Sequence, residues 1–302
     1  MKILVASSSP LAKNLLNHIK SSDHQLLGGI SSPDRASGRG QSVSSNDFAS
    51  YCQEIGVSCY KPSTNEELAD ILQKTQAELV ITLAYGRLIK TSELQIPKHG
   101  WLNVHFSLLP RWRGAAPVQR AIAAGDEQSG VTVFKLEQGL DTGPIYSTLS
   151  YPLNDRSRSD EVLKDLSSLC IQPVNQALIM IAAGEPATTQ ESDGVTLAPK
   201  ILKSDGKIDW NRDSKMLDRQ IRAFQPWPGA YTSFNGTRIE IIEARVSDAD
   251  GAAGEVLSIN PLLVGTGSGS LEIIRVKPEN KREMSSSDWL RGARITLPCA
   301  FE

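Results

Sequence analysis

Asn103-Val104-His105-Phe106-Ser107-Leu108-Leu109-Pro110-Arg111-Trp112-Arg113-Gly114 is the stretch on which the fold turns. Residues 101–106 read as a strand, and strand side chains alternate between faces, so Asn103 and His105 point one way and Val104 and Phe106 the other. Pro110 cannot continue a ladder. The strand therefore ends before it, and His105 falls near the carboxyl edge, where open α/β sheets bind their ligands. Singly, a histidine in an apolar strand is most often a hydrogen-bonded core residue, and an asparagine a turn or cap. Two such heads on one face of an apolar strand, followed at once by a loop of Pro, Arg and Gly, are better explained by a site.

Strands and helices alternate on both sides of this stretch. Residues 2–6 read as a buried strand, 11–19 as a helix with Leu11, Leu15, Leu16 and Ile19 on one face, and 25–31 as a second strand. A helix over 46–55, a short strand over 57–60, a helix over 64–75 capped by Thr64, and a strand over 78–84 ending at Tyr85-Gly86 come next. After the central stretch follow a helix over 117–124 with Pro117 in its first turn, strands over 131–136 and 144–151, and a helical pattern over 159–184 that Pro173 should kink or split. Asp141 lies in the 139–143 loop between the last two strands. A hairpin of this length presents its tip at the sheet edge, and an Asp among glycines is by itself an ordinary turn former. The alternation predicts an α/β fold with a Rossmann-like, mostly parallel sheet and helices on both faces.

Periodicity breaks over 184–204, where Pro186, Gly194 and Pro199 fall. We place a linker at 189–205 there, between one domain at 1–188 and a second at 206–302. In the second, a helix over 214–224 precedes short strands over 231–234, 237–246, 255–259, 262–264 and 271–276. Asn235-Gly236 between the first two is a strong hairpin signal. Five short strands with Gly, Asn and Pro between them predict a small β-barrel of OB type.

Composition fits two domains: the 302 residues are 40% hydrophobic and 22% charged. A net charge of -2 argues against indiscriminate nucleic-acid binding but leaves room for a local basic patch. One candidate patch is Lys277, Lys281 and Arg282, with further arginines up to Arg294; it is either a solvated surface or a footprint for an RNA backbone. Another is the 31–45 loop, where Arg35 and Arg39 stand among serines and glycines, either in water or ready to order on phosphates. Cys52, Cys59, Cys170 and Cys299 are scattered without metal-ligand spacing, so reduced thiols and no metal are expected. The start of the chain carries no long apolar signal core or Arg-rich presequence, and no span approaches ~18 apolar residues, so a cytoplasmic monomer that does not bind membrane is expected. The first βα turn, Ser8-Ser9-Pro10, lacks a G-x-G-x-x-G fingerprint, which weakens an oxidoreductase reading.

Asn-x-His-x-Ser-Leu-Leu-Pro-x-Trp-Arg-Gly-Ala-Ala-Pro, beginning at Asn103, closely resembles the signature of the formyltransferases that use 10-formyltetrahydrofolate. Leu140-Asp141-Thr142-Gly143 resembles their second motif. The whole chain looks like the methionyl-tRNA branch of that family, because Asp34-Arg35-Ala36-Ser37-Gly38-Arg39-Gly40 matches the inserted loop that enters the acceptor stem of the initiator tRNA there, and Trp227-Pro228 also fits. The resemblance implies a catalytic role for 1–188 and tRNA binding for 206–302. It assigns Asn103, His105 and Asp141 to catalysis, Ser107, Leu108, Leu109 and Pro110 to holding tetrahydrofolate, and Tyr85 and Gly86 to a position beside the folate. It makes Arg39 the main tRNA contact, with Arg35 beside it. Two departures stand out: the turn at Ser8-Ser9-Pro10, where the family has Gly-Thr-Pro and to whose serines no ligand role is assigned, and Phe106, where relatives carry a small residue.

Formyl transfer between two nitrogens puts negative charge on the formyl oxygen, which fixed donors must meet; the amide of Asn103 and the imidazole of His105 are suitable groups. An attacking α-amine has a reference pKa of ~7.7 to 8.0, so proton movement after attack is the remaining demand. We expect Asp141 to lie close to His105, favour its charged form and help move that proton. Rival readings are a formyltransferase acting on an amino sugar nucleotide, one acting on a glycinamide ribonucleotide, and an inert RNA-binding protein. The arginine loop speaks against the first, the second domain against the second, and the Asn103, His105 and Asp141 set against the third.

Overall fold

The computed structural model describes residues 1–37, 42–293 and 295–302. They form two compact units. One comprises Met1–Pro117, Gln128–Pro152 and Leu163–Ala198; the other Val118–Glu127, Leu153–Val162 and Pro199–Glu302.

The first unit is built on a seven-stranded sheet. Its order is Ile145–Pro152, Gln128–Lys135, Trp101–His105, Leu79–Thr82, Lys2–Ala6, Gln25–Ile30 and Cys59–Tyr60. The last five run parallel, as the alternation with helices requires; Gln128–Lys135 runs against them, and Ile145–Pro152 pairs antiparallel with it. Trp101–His105 is therefore the strand at which the sheet changes sense. Ile3, Leu4, Val5, Leu79, Val80, Ile81, Trp101 and Leu102 are all buried, which is the continuous apolar run expected of strands covered on both faces.

Local signals account for the helix boundaries. Asn46 caps Asp47–Glu54 through Ala49 N, and Thr64 caps Asn65–Thr75 through Glu67 N. Residues 159–183 are long and apolar enough to cross a membrane by length and composition. They form two helices, Ser159–Leu169 and Ile171–Ala183, and the second buries Val174, Ala177, Leu178 and Ile181. The break falls at Cys170, ahead of the expected Pro173, because a proline in the first turn of the second helix removes a donor that has no intrahelical partner anyway.

Within the segment read as a loop, Arg35–Ser37 pairs antiparallel with Ser42–Ser44. Lys61 Nζ ties the two legs together, donating to Asp34 Oδ1 at 2.6 Å and Ser45 Oγ at 2.8 Å. The Lys61 hydrogen bond lowers the Asp34 carboxyl from its ordinary value.

In the second unit an antiparallel ladder runs Ala230–Phe234, Thr237–Ser247, Ser270–Pro278, Leu262–Gly265 and Val256–Ile259, with Met284–Ser285 on Ser270–Pro278. The last strand and the helix Ser286–Ala293 are additions the sequence pattern did not indicate. Asn235 and Gly236 take φ of 50° and 73°, as a tight hairpin turn requires. One core of Trp210, Phe234, Trp289, Phe301 and aliphatic residues from every strand of the ladder fills this barrel-like sheet, with Phe301 stacked at 5.2–5.9 Å from its three aromatic neighbours.

Candidate active site

Asn103 and His105 lie on one face of Trp101–His105, with His105 as its last residue. Asn103 is half-buried, and its Oδ1 is 2.8 Å from the Thr82 hydroxyl of the neighbouring strand. Among the described residues nothing takes its amide nitrogen, which is left to donate.

His105 is 5% exposed. Its Nε2–H donates to the Trp112 carbonyl at 2.8 Å, and the ring meets Phe134 edge-on at 6.4 Å. The carbonyl can only accept, so Nε2 carries the proton and Nδ1 is the nitrogen that exchanges one. Nδ1 faces Asp141 Oδ2 at 3.8 Å. Burial pushes the imidazole below its ordinary value, outweighing the Asp141 carboxylate and the Trp112 carbonyl, which both act to raise it. Asp141 does lie beside His105 and favours its charged form, as expected; burial opposes it and prevails. The net direction favours the neutral ring, with Nδ1 the nitrogen turned toward Asp141.

Asp141 reaches this position by an unexpected path. Gln128–Lys135 runs antiparallel to the histidine strand, with Lys135 opposite Leu102 and Thr132 opposite His105. The loop after Lys135 thus starts about 10 Å below His105 along the strand. It doubles back over the face instead of standing at the sheet edge, and three contacts hold it there. Asp141 Oδ2 accepts from Gly114 N at 2.8 Å, and Gln190 Nε2 donates to the carbonyls of Asp141 and Gly143, each at 2.8 Å. The close crossing requires glycine twice: a Cβ on Gly143 would lie 1.7 Å from the Lys135 carbonyl oxygen, and one on Gly114, at φ +129°, 2.6 Å from that of Ala198.

The loop expected to hold a folate is organised by internal bonds. Ser107 Oγ donates to Arg111 O at 2.7 Å, and buried Thr132 donates to Ser107 O at 2.7 Å while accepting from Leu109 N at 3.2 Å. With these polar groups engaged, 107–110 offers a ligand the half-buried apolar surfaces of Leu108 and Pro110. Tyr85 is buried among Leu4, Ile30, Leu72 and Trp101, and Gly86 stands at φ +73° with open space where a Cβ would be. Ser8 Oγ lies 2.7 Å from Ser32 Oγ. Phe106 is buried.

Sequence reasoning missed Thr82, Thr132, Gln190 and Thr196. The first two carried a signal, a lone hydroxyl inside an apolar strand; the others sit in the stretch expected to be a linker. Of the expected tRNA contacts, Arg35, Lys277, Lys281 and Arg282 are exposed; Lys277 lies 3.8 Å from Glu240, while Lys281 and Arg282 face no carboxylate among the described residues. Arg39 lies outside the described residues, as does Arg294.

Residues 1–169 match the family described as Formyl transferase, and residues 200–294 match Formyl transferase, C-terminal domain. A methionyl-tRNA formyltransferase from Cutibacterium acnes is 36% identical over 308 residues, spanning 98% of each chain. Among solved structures, the fold is shared with HypX from Aquifex aeolicus in complex with tetrahydrofolic acid (TM-score 0.67, 18% identity, 96% of this chain); this chain spans 46% of HypX. An N-formyltransferase from Helicobacter canadensis in complex with folinic acid and dTDP-3-aminofucose is similar to the same degree (TM-score 0.67, 18% identity, 94% of this chain and 100% of that one). The chain belongs to the formyl transferase family, in which it falls with the methionyl-tRNA formyltransferases.

Proposed function

We propose that this protein transfers the formyl group of 10-formyltetrahydrofolate to the free α-amino group of methionyl initiator tRNA, for translation initiation. The observation that carries the chemistry is the pairing of buried His105 with Asp141 at 3.8 Å, on the face that also presents Asn103. The relative's match over 98% of this chain supports a tRNA acceptor.

The folate co-substrate supplies an activated formyl group when bound. Leu108, Leu109 and Pro110 would hold it through apolar contact beside Gly86, with Ser107 and Tyr85 shaping the walls. The residues fit, because the Asn103 amide nitrogen is free to donate where a formyl oxygen gathers charge. His105 Nδ1 takes the proton that the attacking amine must lose as its nitrogen bonds the formyl carbon, and Asp141 stabilises the imidazolium. The proton then returns from Nδ1 to the departing nitrogen as its bond to the formyl carbon breaks, which leaves the ring neutral again. Arg35, Arg39, Lys277, Lys281 and Arg282 would meet the tRNA backbone.

An acceptor panel with 10-formyltetrahydrofolate tests the proposal: charged initiator tRNA, charged elongator tRNA, free methionine, glycinamide ribonucleotide and an amino sugar nucleotide. Formylation confined to charged initiator tRNA is expected. Preferential formylation of the sugar nucleotide would overturn the assignment of acceptor.

A further inference from the structure

The stretch 188–198, read from sequence as lying where the first domain gives way to a linker, is bound along the reacting pair. Thr188 exchanges backbone hydrogen bonds with Ile145, Gln190 follows, and Leu197–Ala198 pairs parallel with Arg113–Gly114. Two of its side chains reach the two residues that set the pair. The Gln190 amide is saturated: Nε2 donates to Asp141 O and Gly143 O, and Oε1 accepts from Arg113 Nε at 3.2 Å and Nη2 at 2.7 Å. Reversing that amide would set its oxygen against two carbonyls and its NH₂ against a guanidinium, so its orientation is fixed. Thr196 Oγ1 accepts from Trp112 N at 2.9 Å, and Thr196 O accepts from Arg113 N at 2.9 Å. Trp112 is the residue whose carbonyl orients His105.

Both anchored residues have left-handed backbones, Asp141 at φ 50° and Trp112 at φ 65°. For a bulky side chain such as Trp this conformation is an outlier, and it persists only where the surroundings hold it. The 188–198 segment supplies one hold for each. We propose that Gln190 and Thr196 are positioning residues, which together fix the separation and orientation of the His105–Asp141 pair. This rests on the catalytic reading of that pair given above.

The test compares Gln190→Ala, Gln190→Glu and Thr196→Val in the full chain, with formyl transfer to charged initiator tRNA followed against pH. Gln190→Glu keeps the Arg113 contact but cannot donate to the two carbonyls. We expect kcat to fall on the order of 100-fold with both KM values held, as for a misplacement of about 1 Å. The acid limb of the kcat profile should move to lower pH, since a carboxylate that drifts away no longer raises the imidazole against burial. Thr196→Ser should restore activity, and adding Gln190→Ala to Asp141→Asn should cost little more than Asp141→Asn alone. Wild-type kcat in Gln190→Glu and Thr196→Val would overturn the proposal, as would additive losses with an unmoved acid limb. Full activity in Asp141→Asn alone would instead overturn the reading of the pair.

Discussion

Asp141→Asn isolates charge from geometry. Asparagine keeps an oxygen for Gly114 N–H, so the loop stays tied while the negative charge facing His105 is lost. At the 3.8 Å between Oδ2 and Nδ1, a unit charge stabilises the imidazolium by about 4 kcal/mol at an effective dielectric constant of about 20. Fully expressed in the transition state, that is about 1000-fold in kcat, because each ~1.4 kcal/mol is tenfold. The sign of the pH effect also follows. Asp141 raises the imidazole and burial lowers it, so removing Asp141 takes the folded value further down and moves the acid limb of kcat to lower pH. The plateau falls because a weaker base takes the proton less readily. Steady-state formylation of charged initiator tRNA across the pH range, with thermal melts as a control for folding, measures both effects. A kcat within threefold of wild type, or a lower plateau with its acid limb moved toward higher pH, would refute the assignment of His105 as base and Asp141 as its counter-charge.

Gly114→Ala places a Cβ 2.6 Å from the Ala198 carbonyl at φ +129° and should cost about 1–3 kcal/mol by chemical denaturation, with a loss of kcat as the donor to Asp141 shifts. Lys281→Ala with Arg282→Ala should raise KM for tRNA, leave kcat unchanged, and reduce the log–log salt slope of tRNA binding by about 1 for each phosphate that is no longer neutralised. Arg35→Ala with Arg39→Ala should do the same; a binding isotherm with unchanged salt dependence would remove these positions from the interface. Because burial depresses His105, the unfolded chain binds more protons between the folded value and the ordinary ~6.5, so stability falls as pH drops through that window. His105→Gln should flatten that part of the melting-temperature profile.

The sheet and both catalytic poles could be read from sequence because each leaves a local pattern. Strand runs such as Leu79 to Ile81 are uniformly apolar, Thr64 and Asn46 mark helix starts, and Asn103 and His105 share a face by simple alternation. The route of Asp141 left no such pattern. Alternation places the loop at a sheet edge; only the antiparallel register, with Lys135 beside Leu102, shows that it must fold back. Gln190 and Thr196 were hidden for a related reason. Their stretch has no apolar periodicity, since its bonds run to backbone groups of a distant loop, and a segment bound that way has the composition of a connector. For His105 the sequence reveals the counter-charge at Asp141 and conceals the depth of burial that opposes it.

Polar bookkeeping explains why the site contains so many groups that do not react. Thr82 occupies the Asn103 oxygen, Trp112 occupies His105 Nε2, Gly114 occupies Asp141 Oδ2, and Thr132 ties down the turn after the strand. Each bond removes one way in which a reacting group could turn or find another partner. What remains on the shared face is the amide nitrogen of Asn103 and Nδ1 of His105, one able only to donate and the other ready to accept a proton. A formyl oxygen gathering charge and an amine shedding a proton need those two capacities, and fixing the other atoms of each group keeps both available without reorganisation during the reaction.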